Sequence, residues 1–469
     1  MAVVGASRVS SVEAAGWNNP SGQFIPYLLK LGYPGNIYPV NPKADEILGL
    51  KSYPSVSALP EVPEMVTVAV PARFLAAVLE DCASVGALNI HVFTSGFSET
   101  STPEGLDMER AAREAATRNQ IRVVGPNCLG VHSPGSRFST IGDIKNRPGG
   151  AAFVAQSGGH SMDFIFRAAD VGLGVSKVIS FGNALVLESA DYLEFLGQDE
   201  SATAIGMYIE GVKNGQKLLK LVREINPRKP VIIWKGGLSE SGSRAAASHT
   251  GSLAGQSAVW DAFFRQTGAV QAGSVEEVVD VMQAFVHLPP PHSNRLAMIG
   301  SGGGNSVAAS DICSQEGLDM AVLSPETSAR LREFIPDAGN SVRNPVDLSF
   351  MANVRDKQRQ AAELVTGDLS IDILLMIPSL NEYADATSEP EKAVAADFAE
   401  IARAHANGKP VVILLPVRIR DPRIKMDYQK LQSEFADAGL LTYTSLRRAC
   451  RALAKFVGYH TFQASLNSA

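Results

Sequence analysis

One device recurs along the chain: a short apolar run, a loop of small residues, then a segment with helical spacing. The runs lie at 2–4, 66–70, 90–93, 123–124, 152–155, 204–209, 231–234, 296–299, 373–377 and 411–415. Most lack polar/apolar alternation, so they read as strands buried on both faces of a parallel sheet. Helical spacing follows at 73–86, 215–225 and 324–334, the last opening with Ser324 as an N-cap before Pro325. Strand and helix in strict turn confine the chain to an α/β architecture. Two breaks divide it. One is the turn-rich Asn-Arg-Pro-Gly-Gly at 146–150, the other the triple proline at 289–291, which no helix crosses. The modules expected are 1–147, 148–288 and 293–469. Each begins with strand, small-residue loop and helix: AVVGASR at 2–8, AAFVAQSGG at 151–159, LAMIGSGGG at 296–304. These are three doubly wound modules in series, whose ligands are expected beyond the carboxyl ends of the strands.

Composition excludes several classes. Hydrophobic residues make up 45% of the 469 positions, enough to fill sizeable cores. The net charge of −6 gives no basic excess for nucleic acid. No apolar stretch is long enough to span a bilayer, and the first residues lack a signal-peptide pattern. Cys82, Cys128, Cys313 and Cys450 are scattered, without a CxxC pair. They read as free thiols of a cytoplasmic protein. The eight histidines show no metal-ligand spacing, so no metal site is expected. GxGxxG, GxSxG and Walker motifs are absent, which argues against a nicotinamide dehydrogenase, a serine hydrolase and a P-loop NTPase.

The most informative stretch is SRAAASHTGSLAG at 243–255. Small residues surround His249, unlike the large apolar neighbours of a core histidine. Such a loop lets an imidazole approach a partner closely and swing away, and imidazole is a nucleophile near neutral pH. Tyr-Ile-Glu-Gly at 208–211 places Glu210 at the end of an apolar strand. Most strand-end carboxylates are solvated, but one here would orient a histidine ring through one nitrogen and leave the other free. Gln-Ser-Gly-Gly at 156–159 precedes a helix and offers backbone N–H groups to an anion.

Together these motifs resemble those of the nucleoside-diphosphate-forming acyl-CoA synthetases, in their CoA-binding α part. The likeness is nearest to ADP-forming acetyl-CoA synthetases, with succinyl-CoA synthetase α subunits as relatives. It is carried by IYPVNPKADEILGLKSYPSV (37–56), VPA (70–72), TSGF (94–97), GPNCLG (125–130), QSGG (156–159), YIEG (208–211), SRAAASHTGSLAG (243–255) and NPVDL (344–348). The resemblance implies a Rossmann-like CoA-binding domain followed by two flavodoxin-like domains. CoA would meet Gly5, Ser7, Lys43, Pro71, Ser95 and Asn127. His249 would be transiently phosphorylated, with Glu210 holding its ring and Ser157, Gly158 and Gly159 binding its phosphate. It also implies a small carboxylic acid substrate and an oligomeric assembly. A separate ATP-grasp β subunit would carry ATP or ADP with Mg²⁺, since no ATP-grasp portion is present in these residues. After Gly182 and Asn183, relatives often carry two aspartates; here Ala184 to Glu188 read ALVLE. The alternative from another class is a non-catalytic CoA- or acyl-CoA-binding sensor.

Overall fold

A computed structural model describes residues 1–7, 22–239, 241–242, 257–300, 302–336, 338–348, 353–380, 383, 387–415 and 426–467. The chain divides into two compact units: 1–169 with 174–275, and 170–173 with 276–469.

The first unit holds two larger sheets and a separate two-stranded hairpin. Its strands begin with β1 (Ala2–Val4), β2 (Tyr38–Val40), the hairpin β3 (Glu46–Ile47) and β4 (Leu50–Lys51), β5 (Val66–Val68), β6 (Asn89–Val92) and β7 (Arg122–Val124). The first sheet has the order β2-β1-β5-β6-β7, all parallel. Its strands are short and its inward residues, among them Val66, Val68, Ile90 and Val92, are buried. The chain continues with β8 (Gly130–Ser133), β9 (Phe138–Ser139), β10 (Pro148–Ala155), β11 (Val175–Ser180), β12 (Ala204–Ile209), β13 (Val231–Lys235) and β14 (Val270–Ala272). The second sheet runs β14-β13-β12-β10-β11-β8-β9. β8 is antiparallel to β11, so residues before the break at 146–150 form the edge of the second sheet.

That break is itself a correction. Pro148, Gly149 and Gly150 were expected in a turn, yet they open β10. The strand shifts register between Pro148 and Ala152, and a Cβ on Gly149 would lie 2.5 Å from the Gly174 Cα. Glycine is used here for close backbone approach, not for a turn. Asn146 is buried, bonding the Ile165 carbonyl through Nδ2 at 2.9 Å and His132 through Oδ1 at 3.0 Å.

The second unit carries β15 (Arg295–Ile299), β16 (Asp319–Met320), β17 (Ile373–Met376), β18 (Val411–Leu414) and β19 (Thr442–Tyr443). Their order is β16-β15-β17-β18-β19, all parallel. The first and third sheets therefore place their first strand second from one side, the doubly wound arrangement with a switch point at its carboxyl edge; in the second sheet β10 pairs in parallel with β12 on one side and β11 on the other. The expected helices form at Gly215–Ile225 and Pro325–Arg332, and the Ser324 side chain caps the latter by accepting from the Thr327 amide at 3.1 Å. Helix Val275–His287 ends ahead of the triple proline. It packs on helix Leu446–Asn467 through the Asp280–Arg448 bidentate pair at 2.7 and 2.8 Å. No helix among the described residues is long and apolar enough to cross a membrane.

Candidate functional site

In a parallel sheet every strand ends on the same edge, so the loops that follow β1, β2, β5, β6 and β7 gather there. Gly5 and Ser7 follow β1, Lys43 follows β2, Pro71 follows β5, Ser95 follows β6 and Asn127 follows β7. All six residues expected to meet CoA lie along this one edge, and none is buried. Gly5 has φ +85°, and a Cβ there would sit 2.6 Å from the Ala69 carbonyl oxygen, so only glycine lets β1 turn so tightly against its neighbour. Asn41 joins two of the loops: its Nδ2 donates to the Ala6 carbonyl at 2.9 Å and its Oδ1 accepts from the Lys43 amide at 2.9 Å. The Thr94 hydroxyl donates to the Val70 carbonyl at 2.6 Å, and the Asn127 amide donates to the Thr94 carbonyl at 2.9 Å. The edge is thus stitched from loop to loop, with small and polar residues outward. Backbone donors, an exposed lysine and small side chains suit a nucleotide bearing phosphates and a long polar arm.

The same geometry recurs at the second sheet. β10 runs into Gln156 and Ser157, and helix Gly158–Asp170 starts at once. The Ser157 hydroxyl accepts from the His160 amide at 3.3 Å, fixing the first turn. First-turn amides have no intrahelical acceptor and carry the positive end of the helix dipole. A Cβ on Gly158 would meet the Leu129 side chain at 2.8 Å, whereas at Gly159 the nearest atom is Ser157 Oγ at 3.7 Å. Gly158 is therefore required by packing, and Gly159 leaves room for a ligand.

On the strand next to β10, β12 delivers Glu210. It is 6% exposed, so it is not the solvated carboxylate that a strand end usually supplies. The Tyr208 hydroxyl donates to Glu210 Oε1 at 3.0 Å. Burial, with the Glu210 charge second, pushes the Tyr208 phenol well above its ordinary value, so it stays a donor. Gln156 Oε1 accepts from the Glu210 amide and, at 2.9 Å, from the Gly211 amide. One side chain thus ties the backbone at the end of β12 to the glycine loop. Lys235, at the end of β13, donates to the Glu210 carbonyl at 2.9 Å and to that of Gly236. Burial lowers the Lys235 ammonium from its ordinary value. Its Nζ also lies 5.6 Å from the Trp260 ring centroid. His249 and the rest of 243–256 lie outside the described residues.

Sequence reasoning missed three features of this region. Gln156 was read only as part of a loop, although a polar residue straight after a buried strand is the available signal. His160, Tyr208 and Trp234 form an aromatic group with ring centroids 4.4 to 4.5 Å apart beside Glu210. Asn183 bridges the two sheets, with Nδ2 donating to Glu99 Oε2 at 2.5 Å and Oδ1 accepting from Asn127 Nδ2 at 3.3 Å. Glu188 is committed elsewhere: it caps helix Ser189–Gln198 in a reciprocal box with Asp191. Among the described residues, no group of acidic, histidine and cysteine side chains could hold a metal ion.

Comparison with known proteins follows this geometry. Residues 1–134 match a CoA binding domain and residues 148–285 a succinyl-CoA ligase like flavodoxin domain. The α subunit of acetate–CoA ligase [ADP-forming] II from Pyrococcus furiosus is 35% identical over 381 residues, which is 81% of this chain and 82% of the relative. The corresponding enzyme I α subunit is 38% identical, covering 70% of this chain and 71% of its own. Acetate–CoA ligase [ADP-forming] I of Archaeoglobus fulgidus is 36% identical over 77% of this chain, which spans only 52% of that longer protein. Among solved structures, the dinucleotide forming acetyl-coenzyme A synthetase 1 of Ca. Korarchaeum cryptofilum, in complex with phosphate and ADP, superposes with a TM-score of 0.82 at 29% identity. The match covers 100% of this chain and 96% of that one. Two domain matches that together span 1–134 and 148–285, and α subunits at 35% and 38% identity over most of both chains, leave one conclusion: the chain belongs to the ADP-forming acyl-CoA ligase family and corresponds to its α part.

Proposed function

We propose that this chain is the α subunit of an ADP-forming acyl-CoA synthetase. It interconverts acyl-CoA, phosphate and His249 with CoA, a free acid and a phosphorylated His249. Residues 1–147 bind CoA through Gly5, Ser7, Lys43, Pro71, Ser95 and Asn127. Residues 148–288 carry the phosphohistidine chemistry, and 293–469 form a further flavodoxin-like module. The observation that carries the reading is the Gln156 bridge, which holds the buried Glu210 beside the Ser157-Gly158-Gly159 helix start. Phosphate would attack the thioester carbonyl, forming an acyl–oxygen bond and expelling CoA as the thiol. One ring nitrogen of His249 would then attack phosphorus, and the carboxylate would leave with the bridging oxygen. Glu210 accepts from the other ring nitrogen and stabilises the cation that forms. Amides of the helix start stabilise the transferring phosphoryl charge. An ATP-grasp β subunit, carrying Mg²⁺ and ADP, would then take the phosphoryl group.

The test is incubation of the chain with acyl-CoA and labelled phosphate. Acid-labile, base-stable label should appear, and His249→Ala should abolish it while CoA binding persists in calorimetry. Label that survives the substitution would place the shuttle elsewhere.

A further inference from the structure

A cleft of about 570 Å³ opens within the first unit, between helix Pro103–Arg118 and the loops after β11 and β12. Its floor and walls include Phe181, Val212 and Leu106, while Lys213, Arg113 and Ser189 supply polar groups. Gln156 and Gly211, the residues that lock Glu210 to the glycine loop, also line it. At its other end, Asn183 reaches Asn127 on the CoA edge. The cleft therefore lies between the two places where the reaction's halves are expected.

Its size and chemistry differ from what acetate needs. A two-carbon acid would leave most of this volume empty, since pockets of roughly 300–1,000 Å³ hold much larger ligands. The cleft is also not simply apolar. Lys213 Nζ donates to the Ala184 carbonyl and retains two further N–H groups. Arg113 donates to the Leu185 carbonyl and to Glu109 Oε1, the latter at 2.9 Å. Both cations thus grip the loop at 182–188 and are fixed in place. Ser189 is 1% exposed, and among the described residues its hydroxyl has no hydrogen-bond partner. A buried, unpartnered hydroxyl facing a cleft is costly unless a ligand or water completes it. Burial first, and the Arg113 charge second, lower the Lys213 ammonium from its ordinary value, a cost that an incoming anionic or carbonyl oxygen relieves. Two carboxylates, Glu109 and Glu188, also line the cleft, but each is engaged: Glu109 accepts from Arg113 at 2.9 Å and Glu188 accepts from the Lys213 amide at 3.0 Å.

We propose that this cleft receives the acyl chain, and that Lys213, Arg113 and Ser189 select acids several carbons long that end in an oxygen acceptor: hydroxy-, oxo- or dicarboxylic acids rather than acetate. This inference rests on the function proposed above. Its test compares acetyl-, butyryl-, succinyl- and 4-hydroxybutyryl-CoA as donors for phosphate-dependent labelling of the whole chain. Succinyl- or 4-hydroxybutyryl-CoA should label at least tenfold faster than butyryl-CoA, which matches their chain length without the distal oxygen. Lys213→Met and Ser189→Ala should each cut that ratio severalfold, and Val212→Phe should lower the ratio of four-carbon donors to acetyl-CoA. Equal rates for butyryl- and succinyl-CoA, or ratios unmoved in all three variants, would overturn the assignment. If no thioester labels the wild-type chain, the functional reading fails. The cleft is then judged by calorimetry with free succinate and 4-hydroxybutyrate, where equal binding to wild type and Lys213→Met overturns it.

Discussion

Replacing Glu210 by glutamine isolates one charge. The substituted side chain has the same shape, and its carbonyl oxygen still accepts from the Tyr208 hydroxyl, now 3.0 Å from Glu210 Oε1. The backbone ties through Gln156 and Lys235 do not involve the side chain, so fold and loop position should persist. What disappears is the negative charge that, in the proposed role, would face an imidazole made cationic by phosphorylation. At a site only 6% exposed, solvent replaces little of that charge. A charge-assisted hydrogen bond of this kind is worth about 1.5–3 kcal/mol, so labelling of His249 should slow roughly 10- to 200-fold. The assay is single-turnover phosphorylation from acyl-CoA and labelled phosphate, quenched in base. CoA affinity serves as the control and should not change. Tyr208→Phe removes only the bond that orients the carboxylate and should cost less than Glu210→Gln. An unchanged labelling rate in Glu210→Gln would refute the ring-holding role, and Glu188 would not replace it, because that carboxylate already caps helix Ser189–Gln198.

Gly182 has φ +53°, and a Cβ there would meet the Pro126 carbonyl oxygen at 2.2 Å, so Gly182→Ala should destabilise the first unit by about 2–4 kcal/mol in urea titration. Burial lowers His91 and His132 from 6.5 to about 4. Between those values the unfolded chain binds protons that the folded chain does not, so stability, complete above pH 6.5, should fall toward pH 4 by roughly 3 kcal/mol per histidine. A urea midpoint that holds steady from pH 7 to 4.5 would contradict this. Arg448→Ala leaves Asp280, 5% exposed at its side chain, without its bidentate partner. Because the arginine is itself half-exposed, the loss should be about 2 kcal/mol in the second unit, read as an earlier unfolding transition.

Much of the fold was legible because buried parallel strands advertise themselves. Runs such as 204–209 and 411–415 are apolar at every position, and both formed strands at the expected place. What could not be read was pairing. β8 and β9 are short and carry His132, Ser133 and Ser139, so nothing local marks them as the edge of the next sheet. Pro-Gly-Gly at 148–150 reads as a turn by composition, and only the Gly174 backbone lying against Gly149 makes it a strand. β11 escaped notice because Ser176 and Lys177 interrupt its apolar pattern.

The site divides along the same line. Residues that act through the backbone path were predictable from sequence, since a glycine after a buried strand has few other uses. Gly5 shares the edge of the first sheet with Ser95 and Asn127, and the glycines at 158–159 stand at the corresponding place after β10 in the second. Residues that act across sequence distance were not. Gln156 reaches β12, 54 positions on, and Asn183 reaches back to Glu99 and Asn127. Their role follows from topology: two doubly wound sheets place all strand-end loops on carboxyl edges, and polar side chains of intermediate length span the gap between them. A carboxylate on β12 is then buried without being stranded, because the Tyr208 hydroxyl at 3.0 Å partners it from its own strand. The fold thus supplies the burial that would make the Glu210 charge effective in the proposed role, and the bonds that make this burial tolerable.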